Sequence, residues 1–116
     1  MKSVIVVPET PDFQLPVSHD RIVWINIACG VPKLRERQAE YLAPYWIHEG
    51  GARCIYHILG YTVNSENTEI RLGNSFVLPE LWNHIGNPRK FEYQPLNAFG
   101  MEESCEGILR PLLRPE

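Results

Sequence analysis

Residues 21–42, RIVWINIACGVPKLRERQAEYL, read as a strand that passes through a tight loop into a helix, and the rest of the chain is interpreted around that passage. Arg21 to Ile27 carries β-branched and aromatic residues on both faces, as a strand covered on both sides does, and so predicts the central strand of a sheet. After Gly30, Pro32 stands where a first helical turn tolerates proline. Leu34, Gln38, Tyr41 and Leu42 then share one side of a helix with charges opposite. This predicts the one main helix, stopped where Pro44 restricts Ala43.

Upstream, Lys2 to Val7 reads as a short strand, and Pro8, Pro11 and Pro16 make residues 8–20 a proline-rich surface arm. Downstream, Tyr45 to His48 and Arg53 to Val63 read as strands, and Asn64 to Thr68 as a hairpin loop. Glu69 to Leu72 alternates with period two, and Phe76 to Leu78 continues that strand. Pro79 to Ile85 predicts one or two turns, Arg89 to Tyr93 another strand, and Leu96 to Met101 a turn or short helix. The fold class is α+β, mainly β: a small curled antiparallel sheet or β-barrel with one main helix. Residues 102–116 form a C-terminal tail. Its apolar Ile108, Leu109, Leu112 and Leu113, interrupted by Pro111, pack on the body of the chain or on a second copy as a homodimer.

The 116 residues, 44% apolar and 22% charged, suit a single domain spanning 1–116. Fourteen acids against eleven bases give a net charge of −3, which argues against non-specific duplex binding as the main task. Most of the bases are arginine, suited to local, planar contacts with phosphate, carboxylate or base edges. No apolar run is longer than four residues, the length of Val4 to Val7. This predicts no membrane span, no secretory signal and a cytoplasmic location. Cys29, Cys54 and Cys105 are widely spaced without a CxxC pair and are expected to be reduced thiols.

Two stretches carry candidate chemistry. Asn26 interrupts an apolar strand beside Trp24, and its amide either ties down the loop or reads the donor and acceptor edges of a planar ligand. Tyr41 to His48 gathers three aromatics and a histidine. As a strand, Trp46 and His48 share a face with Tyr45 opposite, and such rings serve either as core packing or as a platform on which a flat ring stacks. His57 reads as a hydrogen-bonded strand histidine. Cys54 and His57 fall on opposite faces of a strand and cannot jointly hold zinc. A Cys29–His48 pair has no sequence-visible oxyanion donor or orienting group. No catalytic residue, metal or cofactor is expected.

At Gly30-Val-Pro-Lys-Leu-Arg-Glu-Arg37 the chain resembles the G-x-K-x-x-E-x-R signature of ASCH domains in the PUA-like group. The Lys33 to Glu36 spacing agrees. The order of elements over residues 20–100 is also similar to that of EVE and related PUA-like barrels: a central strand, a helix, an aromatic strand, a long hairpin and a closing strand in RKFEY. The resemblance implies a small barrel with a cleft between the first helix and the sheet, in a group that binds RNA or recognises modified or flipped bases. It carries over Lys33 and Glu36 as cleft-lining residues. Together with Trp24, Asn26, Tyr45, Trp46 and His48 they make the expected ligand site of a non-enzymatic domain for a nucleobase, modified base or short nucleic acid. The alternative is a protein-interaction or regulatory module with no nucleic-acid ligand.

Overall fold

The computed structural model describes residues 3–9, 22–26, 33–46, 50–83, 91–104 and 108–111. These hold β1 (Ser3–Glu9), β2 (Ile22–Asn26), β3 (Ala39–Trp46), β4 (Ala52–Val63), β5 (Asn67–Trp82), β6 (Glu92–Pro95), a 3-10 turn (Leu96–Phe99), β7 (Met101–Glu103) and β8 (Leu109–Pro111). Six strands form one sheet in the order β2-β5-β4-β3-β1-β6, and β7 and β8 pair as a separate hairpin. The sheet is mixed, because β1 runs parallel to β3 while the other neighbours are antiparallel. The chain is mainly β, as its composition of alternating segments predicts. The barrel does not close: β2 and β6 are the outer strands, and no pairing joins them among the described residues.

The centre of the sheet also differs from expectation. β2 lies at an edge, and it is β1 that sits between two neighbours, β3 and β6. Val4 and Val6 enter one buried cluster with Tyr41, Ala43, Tyr45, Ile55, Leu78 and Trp82. Ile5 and Val7 enter a second, on the other face, with Val23, Ile25, Leu34, Leu42, Ile70 and Leu72. The short run Val4–Val7 therefore feeds two cores at once, with each side chain worth about 1.5–3 kcal/mol of burial. Pro8, expected to begin the surface arm, is buried within β1 opposite Tyr45. Residues 10–20 lie outside the described residues.

The predicted main helix is absent. Leu34 to Gln38 makes a single turn, in which the Arg37 N–H donates to the Lys33 carbonyl at 3.0 Å. The Gln38 and Ala39 N–H groups then donate back to Arg35 and Leu34, at 3.2 and 2.8 Å, the pairing of a Schellman stop. Gln38 holds the left-handed φ of 53° that this stop requires. From Tyr41 onward the side chains alternate between the cores, and burial on two faces outweighs the helical spacing of Leu34, Gln38, Tyr41 and Leu42. Pro44 lies within β3 rather than ending a helix. β3 meets β4 at Tyr41–His57 and Leu42–Tyr56 and again at the Trp46–Gly51 bridge, and Pro44, which has no N–H to give, falls in the interval.

β5 runs for 16 residues and absorbs the turns expected at 79–82. Its pairing with β4 slips twice near the middle. Ile58 faces Leu72 and Tyr56 faces Ser75, so β5 has one residue too many at Gly73–Asn74, while Leu59 is the extra residue on β4 between Ile58 and Gly60. Because a one-residue bulge exchanges the faces of a strand, Ile70 and Leu72 enter the second core while Phe76 and Leu78 turn to the first. The lower end of the first core is closed by the 3-10 turn. Phe99 stacks on Trp82 at 4.7 Å, and Gly100, at φ 72°, reverses the chain into β7. Leu109 of β8 is buried there, whereas Ile108 is 56% exposed; Leu112 and Leu113 lie outside the described residues. No helix among the described residues is long and apolar enough to cross a membrane.

Thr68 is fully buried on β5, in the strand's alternation with Ile70 and Leu72, and its Oγ1 has no hydrogen-bond partner. A buried, unmatched hydroxyl costs about 1–3 kcal/mol. Thr68→Val keeps the shape and removes that cost, so the urea midpoint of unfolding should rise with an unchanged m-value. A midpoint that stays or falls would mean that the hydroxyl is satisfied in solution.

Candidate functional site

On the face of the first core, above the part covered by the 3-10 turn and the β7–β8 hairpin, a cleft of about 320 Å³ is lined by Tyr41, His57, Asn74, Phe76 and Ile108. Three adjacent strands supply its floor. Tyr41 of β3 and His57 of β4 are direct partners across the ladder, and their rings lie 5.5 Å apart, tilted by 47°. Phe76 of β5 is the partner of Ile55, two residues from His57. The Gly73–Asn74 bulge brings Asn74 and Phe76 to this face, since an unbroken alternation from Leu72 would send both into the second core.

The wall is Ile108. The hairpin holds it by two hydrogen bonds: its N–H donates to Ser104 Oγ at 3.2 Å and its carbonyl accepts from the Ser104 N–H at 2.9 Å. Arg110 and Glu102 brace the same hairpin with a 2.8 Å ion pair. The cleft thus has an exposed imidazole over a buried phenol, a half-buried phenyl ring, a carboxamide with donors and acceptors, and an aliphatic side chain. That combination offers apolar faces to a flat ring and hydrogen bonds to its edge.

None of the described side chains singled out from sequence as the ligand site lines this cleft. Tyr45 is buried in the first core, edge-on to Trp82 at 6.3 Å. Trp46 is half-buried at the end of β3, where its backbone pairs with Gly51. Trp24 and Asn26 pair through their backbones with Glu69 and Asn67; their side chains, and all of His48, lie outside the described residues. Lys33 and Glu36 are exposed on the turn before β3. That turn docks on β6, where the Lys33 N–H donates to Tyr93 Oη at 2.6 Å and the Arg37 guanidinium lies 5.6 Å from the Tyr93 ring centre.

The Tyr41–His57 pairing was hidden from the sequence, because Tyr41 carries a helical spacing there. Gly73 did leave a signal: a lone glycine inside a strand pattern marks a bulge. Cys54 and His57 do face opposite ways, with Cys54 against the second core. Burial pushes the Cys54 thiol above its ordinary range, opposed by a hydrogen bond with Tyr56. Cys29 and Cys105 lie outside the described residues. Among those described, no three His, Cys, Asp or Glu side chains gather as a metal site.

In comparisons with known proteins, the chain matches no family model, no curated protein and no solved structure.

Burial raises the Tyr93 phenol above its ordinary 10.0, against the Lys33 N–H and the Arg37 charge, which lower it, while Glu36 adds to the rise. The phenolate is therefore disfavoured in the folded chain. The stability Tyr93 contributes is complete below pH 10 and is lost as the pH climbs beyond it. Tyr93→Phe leaves the Lys33 N–H without this acceptor and should cost about 1 kcal/mol in urea unfolding near neutral pH. It should also flatten the alkaline decline, and an unchanged decline would place its origin in other tyrosines.

Proposed function

We propose that the chain is a non-catalytic binding module that receives a flat aromatic ring of nucleobase type in the cleft over Tyr41, His57 and Phe76. The observation that carries this reading is the exposed His57 ring set over Tyr41, with the Asn74 carboxamide and the Ile108 side chain around the same opening. A base stacks on such rings whatever its identity, and the amide then reads its edge.

Kinship with the PUA-like group belongs to the same proposal. The long β4–β5 hairpin, followed along the chain by the short strand β6, supports it, although the sheet stays open. Lys33 and Glu36 enter it more weakly, since they stand on a turn and not on a helix beside a cleft. A cytoplasmic location fits a ligand of this class.

The second reading is a protein-interaction module. It draws on the apolar side chains left exposed along the β4–β5 hairpin, Leu59 at 67% and Val77 at 83%, and on Ile108 of the tail. Titration of the full chain at low salt with nucleosides, modified nucleosides and short single-stranded oligonucleotides separates the two. Saturable binding is expected, and His57→Ala and Phe76→Ala should each remove about 1–3 kcal/mol of stacking. Trp46→Ala, away from the cleft, should leave affinity unchanged. Absence of saturable binding to every ring, with a sedimentation mass above the monomer, would favour the interaction module.

A further inference from the structure

The cleft face continues toward the tip of the β4–β5 hairpin, and an arginine lies along it. Leu72 and Ile58 are partners that both pack in the second core, so their chain neighbours Arg71 and His57 stand on the opposite face, that of the cleft. Gly60 is the direct partner of Arg71. The Leu59 bulge keeps Gly60 and Thr62 on this face, while Tyr61 turns with Ile70 to the second core.

Arg71 is laid down across that strip. A Cβ at residue 60 would stand 2.6 Å from Arg71 Nη2, so the absence of a side chain at Gly60 lets the guanidinium rest on the strand. Nη1 is turned away from His57, donating to Thr62 Oγ1 at 3.2 Å and standing 3.7 Å from Glu69 Oε1. Nη2, over Gly60, is on the side nearer the cleft. Arg71 remains 46% exposed. His57 and Gly60 are three residues apart with one bulge between them, roughly 7–10 Å along the strand. Along the strand the ring site and the guanidinium are thus spaced on the scale of a sugar, and the Leu59 side chain, which lies over Gly73, borders the path between them.

We propose that Arg71, seated over Gly60, is the anion contact of this site, so that the ligand is a base joined through a sugar to a phosphate, a nucleotide unit rather than a free base or nucleoside. This rests on the reading of the cleft as a ring site. A planar guanidinium with one edge steadied by Thr62 presents the other to phosphate oxygens, and such charge-assisted hydrogen bonds are stronger than neutral ones. Glu69 competes with the phosphate for the same guanidinium. The nucleotide unit has two sources, a free mononucleotide and a single-stranded nucleic acid.

The test titrates the full chain with adenosine and uridine, their 5′-monophosphates and a five-nucleotide oligomer. The monophosphates should bind about tenfold tighter than the nucleosides. Arg71→Gln should bring them down to nucleoside affinity, and Glu69→Gln should widen the wild-type difference. An oligomer that binds tighter than the monophosphate identifies nucleic acid as the source, and the reverse identifies the free nucleotide; either supports the proposal. Nucleosides that bind as tightly as their monophosphates would overturn it while leaving the ring site standing, as would an Arg71→Gln variant that keeps the difference. If neither class binds, the ring site falls with it.

Discussion

Burial of β1 on both of its faces is the constraint from which the other strands take their places. Val4, Ile5 and Val6 are fully buried and Val7 nearly so, alternately in the two cores. A strand in that position needs neighbours on both sides to satisfy its backbone and layers above and below to cover its side chains. β3 and β6 flank it. The 3-10 turn and the β7–β8 hairpin help to cover one face. The curl of the sheet, which brings Val23 and Ile25 of β2 and Tyr93 of β6 into one cluster, covers the other. The parallel pairing of β1 with β3 leaves a long connection to make, and the one-turn stop at Gln38 is where that connection re-enters the sheet.

That constraint also explains which parts of the fold were legible in the sequence. The period-two stretches are local features and correspond to β4 and β5, whereas of the polar loop read at Asn64 to Thr68 only the first three residues form the turn, Asn67 and Thr68 belonging to β5. The error at Lys33–Leu42 was a competition between two periodicities. Leu34, Gln38, Tyr41 and Leu42 fit a helix, while Tyr41, Leu42, Ala43 and Tyr45 fit a strand buried on both faces, and only the presence of β1 decides between them. RIVWINI points to the centre by its two-faced apolarity, yet VIVV has the same property over fewer residues. Length favoured the wrong one.

The cleft was less legible still, because it depends on faces exchanged by bulges. From residue parity alone, Asn74 and Phe76 belong with Ile70 and Leu72. One extra residue at Gly73–Asn74 moves them across the sheet to join His57 and Tyr41. Tyr45, conspicuous in the sequence among its aromatic neighbours, is instead taken up by Trp82 and the first core. Aromatic density in a sequence marks where rings are needed, and in a domain of this size the core claims many of them.

A site built this way has a particular energetic character. His57, Tyr41, Phe76 and Arg71 project from strands whose register is fixed by the ladder, not from a free loop, so their relative positions are set before any ligand arrives. Preorganisation of this kind reduces the ordering cost of binding, which matters most for a small ligand that buries little area. The bulges serve both ends at once. The one at Gly73–Asn74 lets β5 contribute to two cores, the one at Leu59 turns Gly60 and Thr62 to the cleft face, and the strip they leave on β4 and β5 carries polar and aromatic side chains beside Leu59. The extra residue at Gly73–Asn74, one of the irregularities that fit a 16-residue strand into a small sheet, therefore also brings Asn74 and Phe76 to the face where they meet Tyr41 and His57.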